Sequence, residues 1–510
     1  MSHAFGKTAA LKGVIWTTGS TYATYILGLL TSVLIARQLG VDDFGRYSYF
    51  VWLCGILVLI ANNGLNNTAI KFVSEAIGRS SVENADGIYG WLRRLQYGFT
   101  ILSGLLFLAL FPWIKPTGWS GQTSLLVGAA LVAFGFKAAS MFNTAVAKGY
   151  GLFSIEAITN AGAVLFNTVF VVVLTFIHAP LAAYVALFAF TSVVYALLSI
   201  FLMRRRGITP HRTIVDPAWL RRVRPHLFWT ASMTAISIMG SRSIETFLLN
   251  RWVGAAEVGF FSIATALNRA GIELLVAGLS TVMMPIMGFL LGAGDHQRTQ
   301  RVFGDATRYY QYLGLLIAGV GLFWARDIVT IMYGAKYMPV ILIFRITVAS
   351  AGVLLASGAF AAVLGASDNQ RFRIGVTVLG AAISWLVALQ LIPLYGAVGA
   401  ALAQTASSVL STIVIVIGIR KFIGLHLPWS SLARQYAVAV VAGALGLVVV
   451  VAVGGELGEF AGGSVYAIVM LVLSLFVGIW RDDEKRYALD LLCKHPRMAQ
   501  IITRFQKGRT

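Results

Sequence analysis

RQLGVDDFGRYS, residues Arg37–Ser48, is a short polar turn between two long apolar runs, and a similar turn comes back as RWVGAAEVGFFS, Arg251–Ser262. The two align without gaps at an offset of 214 residues. Arg37 matches Arg251, Gly40 matches Gly254, Gly45 matches Gly259 and Ser48 matches Ser262, while Asp43 pairs with Glu257 and Tyr47 with Phe261. Glycines suit a tight turn between helices, and a turn is all that either copy alone requires. Two copies in the same place, each between the first and second apolar runs of a block of six, point to an internal duplication. Because six is even, both halves enter from the same side. They are then related by an axis along the membrane normal, as in parallel-repeat transporters, with the natural substrate site between them.

The flanking runs are membrane spans. The 510-residue chain is 58% hydrophobic and 12% charged, whereas about 25% of residues are charged in a typical soluble domain. Apolar stretches long enough to cross a hydrocarbon core of about 30 Å as helices recur from residue 13 to residue 480. Segments of alternating polarity, the mark of a membrane barrel, are not visible. The pattern predicts an all-α integral membrane protein with fourteen spans: 13–37, 45–67, 97–115, 123–147, 155–177, 181–203, 227–249, 258–285, 309–325, 338–364, 373–394, 397–419, 435–455 and 463–480. The first run follows Lys7 and Lys12 and is too long for a signal-peptide core, so it reads as a retained span. The expected organisation is two parallel six-helix lobes, 1–210 and 211–425, then two further spans within 426–480 and a basic tail, 481–510.

The chain carries 40 Lys and Arg against 20 Asp and Glu, a net charge of +20. Phosphate backbones attract such charge, but its distribution is a topology signal. With the N-terminus inside, the internal loops hold KFVSEAIGR, WLRRLQ, MRRRGITPHRTIVDPAWLRRVRPH, IRKF and the tail from Arg481, so that about 30 of the 40 cations are inside and about six outside. The positive-inside rule then puts both termini in the cytoplasm and makes anionic membrane lipid, not nucleic acid, the expected partner. Trp113, Trp119, Trp252 and Trp324 fall near outer span ends and Trp91, Trp229, Trp429 and Trp480 near inner ones, as interfacial aromatics do. The tail is expected to lie on the inner membrane face.

No catalytic machinery is evident. Cys54 lies in a span and Cys493 in the tail, which suggests neither a disulfide nor a metal site; the seven histidines are scattered, and no phosphate-binding loop or nucleophile triad is present. Asp42 and Asp43 form the one external acidic pair, and their place in the repeated turn gives them a structural role. The expectation is a protein with no enzymatic activity and no cofactor, working inside the membrane.

Four cations fall well within spans: Lys137, Arg242, Arg269 and Arg345. Each costs about 2.5–3.5 kcal/mol at a helix centre, so each should face protein or water. Ser262, Thr265, Arg269 and Glu273 form one helical stripe, and Thr230, Thr234, Ser237, Ser241 and Glu245 form another with Arg242 beside it. Arg242 with Glu245 and Arg269 with Glu273 have ion-pair spacing. Either these pairs neutralise each other between packed helices or they line an aqueous cavity. Lys137 and Arg345 have no acidic neighbour within four residues in their spans, so the four cations outnumber Glu245 and Glu273. A positive cavity suits a pyrophosphate, since arginine's planar fork binds phosphate oxygens in pairs. Arg345 lies nearest a span end, where its side chain can snorkel. Glu245 and Glu273 are also candidates for ion coupling.

LIARQLGVDDFGRYSYF (Leu34–Phe50), together with LIPLYGAVGAALAQTAS (Leu391–Ser407), resembles the polysaccharide-exporter branch of the MOP (multidrug/oligosaccharidyl-lipid/polysaccharide) superfamily. The likeness covers essentially the whole chain. It implies a bilobed core of twelve spans plus two, alternating access, and the activity of a Wzx-type flippase. Such a protein carries undecaprenyl-pyrophosphate-linked oligosaccharide from the cytoplasmic to the periplasmic leaflet of the bacterial inner membrane, for O-antigen, capsule or exopolysaccharide. An ion gradient or membrane potential would drive it, and polysaccharide polymerase and chain-length proteins would be its partners. The resemblance transfers no substrate-binding position, so the candidates remain Lys137, Arg242, Arg269 and Arg345 for pyrophosphate and Glu245 and Glu273 for coupling or pairing. Two alternatives stay open: a drug or cation antiporter of the same superfamily, which should favour an acidic cavity, and a peptidoglycan-precursor flippase, which shares the span number and cationic cavity.

Overall fold

In hydrocarbon each backbone N–H must find its acceptor within its own segment, so long apolar runs fold as helices. The computed structural model describes residues 7–79, 81–119, 123–210, 216–240, 243–367 and 369–480, leaving aside some side chains within helices, chiefly 7–18 and 273–282. Among these residues the ordered structure is helical throughout.

Helix α1, Lys7–Ala61, is two helices joined at Gly40, whose φ of 74° and ψ of −177° break the spiral. The chain doubles back there. The Tyr337 hydroxyl donates to the Ala36 carbonyl at 2.7 Å while its ring packs edge-on to Phe44 at 6.3 Å, although those two positions would be about 12 Å apart along one helix. The predicted second span runs to residue 67, but the helix stops at Ala61; Gly64, left-handed at φ 74°, turns the chain into α2, Leu65–Gly78. Then follow α3 (Val82–Ile114), α4 (Thr123–Gly149), α5 (Phe153–Phe176) and α6 (Leu181–Arg205).

The second half repeats the plan. Helices α7 (Pro217–Gly240) and α8 (Ser243–Leu248) pass through a π-helical turn, Leu249–Val253, into α9, Ala255–Gly292. Gly254 makes the break at φ 137° and ψ 177°, the counterpart of Gly40. Next come α10 (His296–Tyr333) and a pair bent by 51°, α11 (Val340–Val353) and α12 (Ser357–Ala366). Helix α13, Gln370–Gly418, is broken at Gly396 (φ 54°), shortly after Pro393. Finally α14 (Trp429–Val453) and α15 (Gly455–Phe476) pack on each other and on α10. Gly446 and Gly462 bring α14 and α15 close, and Tyr466 donates to the Leu315 carbonyl at 2.8 Å. Among the described residues nine helices are long and apolar enough to cross a membrane, ten if α11 with α12 counts as one. Twelve of the fourteen predicted ranges fall on these helices, two apiece on the broken α1 and α13, while 227–249 falls on α7 and α8 and 258–285 on α9, which lie outside that count.

The halves meet through their repeated turns. Gly45 packs against the Ala255 backbone, and a Cβ on Gly259 would lie 3.2 Å from the Gly45 Cα and 3.3 Å from the Val41 carbonyl. At the offset of 214, Gly45 corresponds to Gly259 and Val41 to Ala255, so the contact is reciprocal and marks a two-fold axis between the halves. The same exchange recurs beside it. Arg37 donates from Nε to the Met332 carbonyl at 2.7 Å and from Nη2 to that of Ile331, at the end of α10. Asn250, the counterpart of Ala36, donates to the Lys115 carbonyl at 3.1 Å and accepts from the Thr117 amide at 2.9 Å, just past the end of α3. Each half thus grips the third span of the other at the turn end.

Candidate functional site

Between the halves, on the far side of the two glycines from the turn end, lies a cavity of about 920 Å³. The second arm of α1 contributes Val51 to Leu59, α4 contributes Lys137, α8 contributes Glu245 and Thr246, α9 contributes Ser262, Thr265 and Arg269, and the two arms of α13 contribute Ser384, Gln404, Ser407 and Ser408. Two cations and one carboxylate therefore stand among hydroxyl and amide groups in an otherwise apolar wall.

Each charge has its own setting. The Lys137 ammonium sits over the Tyr195 ring of α6, 2.9 Å from the centroid, which holds a cation without neutralising it. Among the described residues no carboxylate is within ion-pair distance of Lys137. Glu245 is buried, with 1% exposure, and accepts a hydrogen bond from the Ser384 hydroxyl across the half's interior. Arg269 is exposed toward the cavity. Ser407 donates to the Gly380 carbonyl at 2.7 Å, tying the two arms of α13 beside the site. Such a chamber can hold an anionic group: a guanidinium fork and an ammonium supply charge-assisted donors, and the surrounding low dielectric strengthens them.

Of the six residues expected from sequence, the fold brings Lys137, Arg269 and Glu245 to one cavity. Arg345 is elsewhere, contrary to expectation: its Nη2 pairs with Glu459 of α15 at 3.3 Å and its Nε donates to the Leu322 carbonyl at 3.0 Å. Its carboxylate comes from 114 residues away, beyond the reach of a count along one span. Arg242 and the side chain of Glu273 lie outside the described residues, as do Cys493 and the tail. On the stripe of α7, Thr230 and Thr234 donate to the carbonyls of His226 and Thr230 in their own helix, at 2.8 Å and 2.9 Å.

Two acids of the repeated turns have structural partners. Asp43 pairs with Arg46 at 2.6 Å, and its repeat counterpart Glu257 accepts from the Ala397 amide at 2.7 Å, holding the bend of α13. Sequence reasoning passed over Ser384, Gln404, Ser407 and Ser408. Gln404, Ser407 and Ser411 recur at spacings of three and four in an apolar run, the same signal that marked α9. Nothing in the sequence announces Tyr195 as the seat of Lys137.

A family model described as polysaccharide biosynthesis protein matches residues 10–290, more than half of the chain. The lipid III flippase of Escherichia coli (strain K12) is 22% identical over 413 residues, which cover 78% of this chain and 94% of that protein. The lipid III flippase of Shigella flexneri matches to the same extent. Among solved structures, the lipid II flippase MurJ in an inward closed conformation superposes with a TM-score of 0.70 at 14% identity, covering 91% of this chain and 98% of that one. An inward-facing multidrug resistance MATE family transporter of the MOP superfamily gives 0.61 at 14% identity, covering 79% and 94%. At these identities the two structures share the fold.

Proposed function

The chain belongs to the polysaccharide biosynthesis protein family, and from that premise we propose that it is a MOP-superfamily flippase for a polyprenyl-diphosphate-linked oligosaccharide. The carrying observation is the cavity between the two-fold-related halves, where Lys137 and Arg269 outnumber Glu245. The diphosphate is the part of such a lipid least able to cross hydrocarbon, and these two cations would take over its hydration. The flippases among its relatives support a lipid-linked substrate. In this reading the reciprocal contacts at the turn end form one gate of an alternating-access cycle, with both termini cytoplasmic, in the inner membrane of a bacterium that builds O-antigen, capsule or exopolysaccharide. Undecaprenol is the expected carrier, and a polymerase and chain-length protein would act downstream. A drug or cation antiporter would favour an acidic site, whereas the one carboxylate described here is engaged by Ser384.

The test is deletion of the gene, followed by measurement of lipid-linked oligosaccharide on each membrane leaflet and of surface polysaccharide. Accumulation on the cytoplasmic leaflet with loss of surface polysaccharide is expected. Unchanged polysaccharide with altered drug sensitivity would reject the proposal in favour of the antiporter.

A further inference from the structure

A second chamber, of about 420 Å³, lies mainly in the N-terminal half between the arms of α1 and helices α4, α5 and α6, with Ser262 and Ala266 of α9 closing one side, and Lys137 stands in the wall that it shares with the main cavity. Its chemistry is different. Among the described residues Lys137 is the only charged one lining it, and no carboxylate does. Among the described residues, the Tyr47, Ser48 and Tyr195 hydroxyls have no hydrogen-bond partner, and Asn167 accepts from Thr191 through Oδ1 at 3.2 Å while its Nδ2 donates to nothing. Trp52 and Phe188 supply flat apolar faces, the latter ordered by an edge-on contact with Tyr47 at 6.5 Å.

Polar tips set in an apolar wall are satisfied by whatever enters the chamber. A metal ion would want carboxylates, an organic cation would be repelled by the Lys137 ammonium, and an acyl chain has no use for donors. A neutral pyranose has both requirements: hydroxyls that meet phenol, hydroxyl and amide groups, and C–H faces that lie on aromatic rings. The volume falls in the range of about 300–1,000 Å³ typical of small-ligand pockets. We propose that this chamber is a saccharide subsite, receiving the sugar nearest the lipid diphosphate while Lys137 and Arg269 hold the diphosphate itself. The inference rests on the flippase reading and adds to it where the glycan goes.

The experiment uses the full chain reconstituted in liposomes, with two lipid probes: a polyprenyl diphosphate carrying one N-acetylglucosamine, and the same polyprenyl diphosphate without sugar. The wall variants are Asn167→Leu, which puts a branched apolar group in place of the amide and narrows the chamber, and Ser48→Ala and Asn167→Ala, which remove donors without adding bulk and serve if the larger residue prevents folding. Flipping of the sugar-bearing probe is expected to fall about tenfold in Asn167→Leu and severalfold in the alanine variants, with the bare probe within about twofold of wild type. Equal losses on both probes, or no loss on either in any folded variant, would overturn the subsite while leaving the flippase intact. Failure of the wild-type protein to flip either probe would instead remove the reading on which the subsite depends.

Discussion

Glu75 on α2 and Arg222 on α7 form an ion pair of 2.8 Å that joins the two halves at the end opposite the repeated turns. Arg79 reaches the same carboxylate at 2.7 Å, Phe72 packs edge-on to Trp219 and His226, and Gly64 lies against the backbone at Ala231. Burial pushes the Glu75 carboxyl up, but the hydrogen bond and charge of Arg222, with those of Arg79, outweigh it and hold the group below its ordinary 4.5. Burial, and then the neighbouring Lys71, holds His226 below its ordinary 6.5. Both values are depressed, so both groups favour the closed contact at neutral pH. Their contribution fades on acidification, from His226 first as pH falls below 6.5 and from Glu75 only below 4.5. Arg222 is half exposed, so the pair itself is worth about 1 kcal/mol or less. Spin labels on α2 and α7 should therefore show the distance broadening as pH drops from 7 to 5, and Glu75→Gln should broaden it already at pH 7. A distance indifferent to both would show that the contact rests on Phe72 and Gly64 packing alone.

At the turn end the two-fold contact leaves no room for a side chain. Gly45→Ala drives a methyl into the Ala255 carbonyl region, whereas Gly259→Ala meets the Gly45 Cα at 3.2 Å and needs a smaller shift. Overpacking of this kind costs about 1–3 kcal/mol. Both variants should raise the reactivity of a cysteine placed at Val51 toward a membrane-impermeant thiol reagent added from the turn side, Gly45→Ala more strongly. Equal reactivity in both variants and wild type would mean that these glycines do not hold the gate.

Arg345 is expected to stabilise and not to transport. Arg345→Ala and Glu459→Gln should each lower the thermal midpoint by a few degrees, and the double variant should lose less than the sum, because they share one interaction. Flipping per folded molecule should stay within about twofold. A selective loss of flipping with an unchanged midpoint would return Arg345 to the cavity.

The Ser384 hydroxyl serves the Glu245 carboxylate, and a hydrogen bond to a charged group is worth about 1.5–3 kcal/mol. Ser384→Ala should therefore destabilise the protein by about that amount, measured by denaturation in detergent, and the loss should shrink when Glu245 is already Gln. An undiminished loss in the Glu245→Gln background would show that Ser384 matters through packing.

The two-lobed plan was legible because a duplicated turn carries its own geometry: Gly40 and Gly254 both break their helices, at φ 74° and 137°, and Gly45 meets Gly259 across the axis. Lys137 and Arg269 stood out because a cation in an apolar run is costly anywhere but at protein or water. The same rule misplaced Arg345, since Glu459 is distant in the chain and near only after α15 packs beside α10 and α11. The polar stripe of α13 was written at helical spacing and was missed because it bears no charge. The seat of Lys137 on Tyr195 joins two helices whose register only packing determines.

The most direct measurement is flipping of a polyprenyl diphosphate lipid by proteoliposomes holding Lys137→Ala, Arg269→Ala or Lys137→Arg, with inserted protein quantified in each. The two alanine variants should lose at least about tenfold in rate while inserting normally, and Lys137→Arg, which keeps the charge, should retain most of it. Wild-type rates in both alanine variants would contradict the claim that these cations carry the diphosphate across.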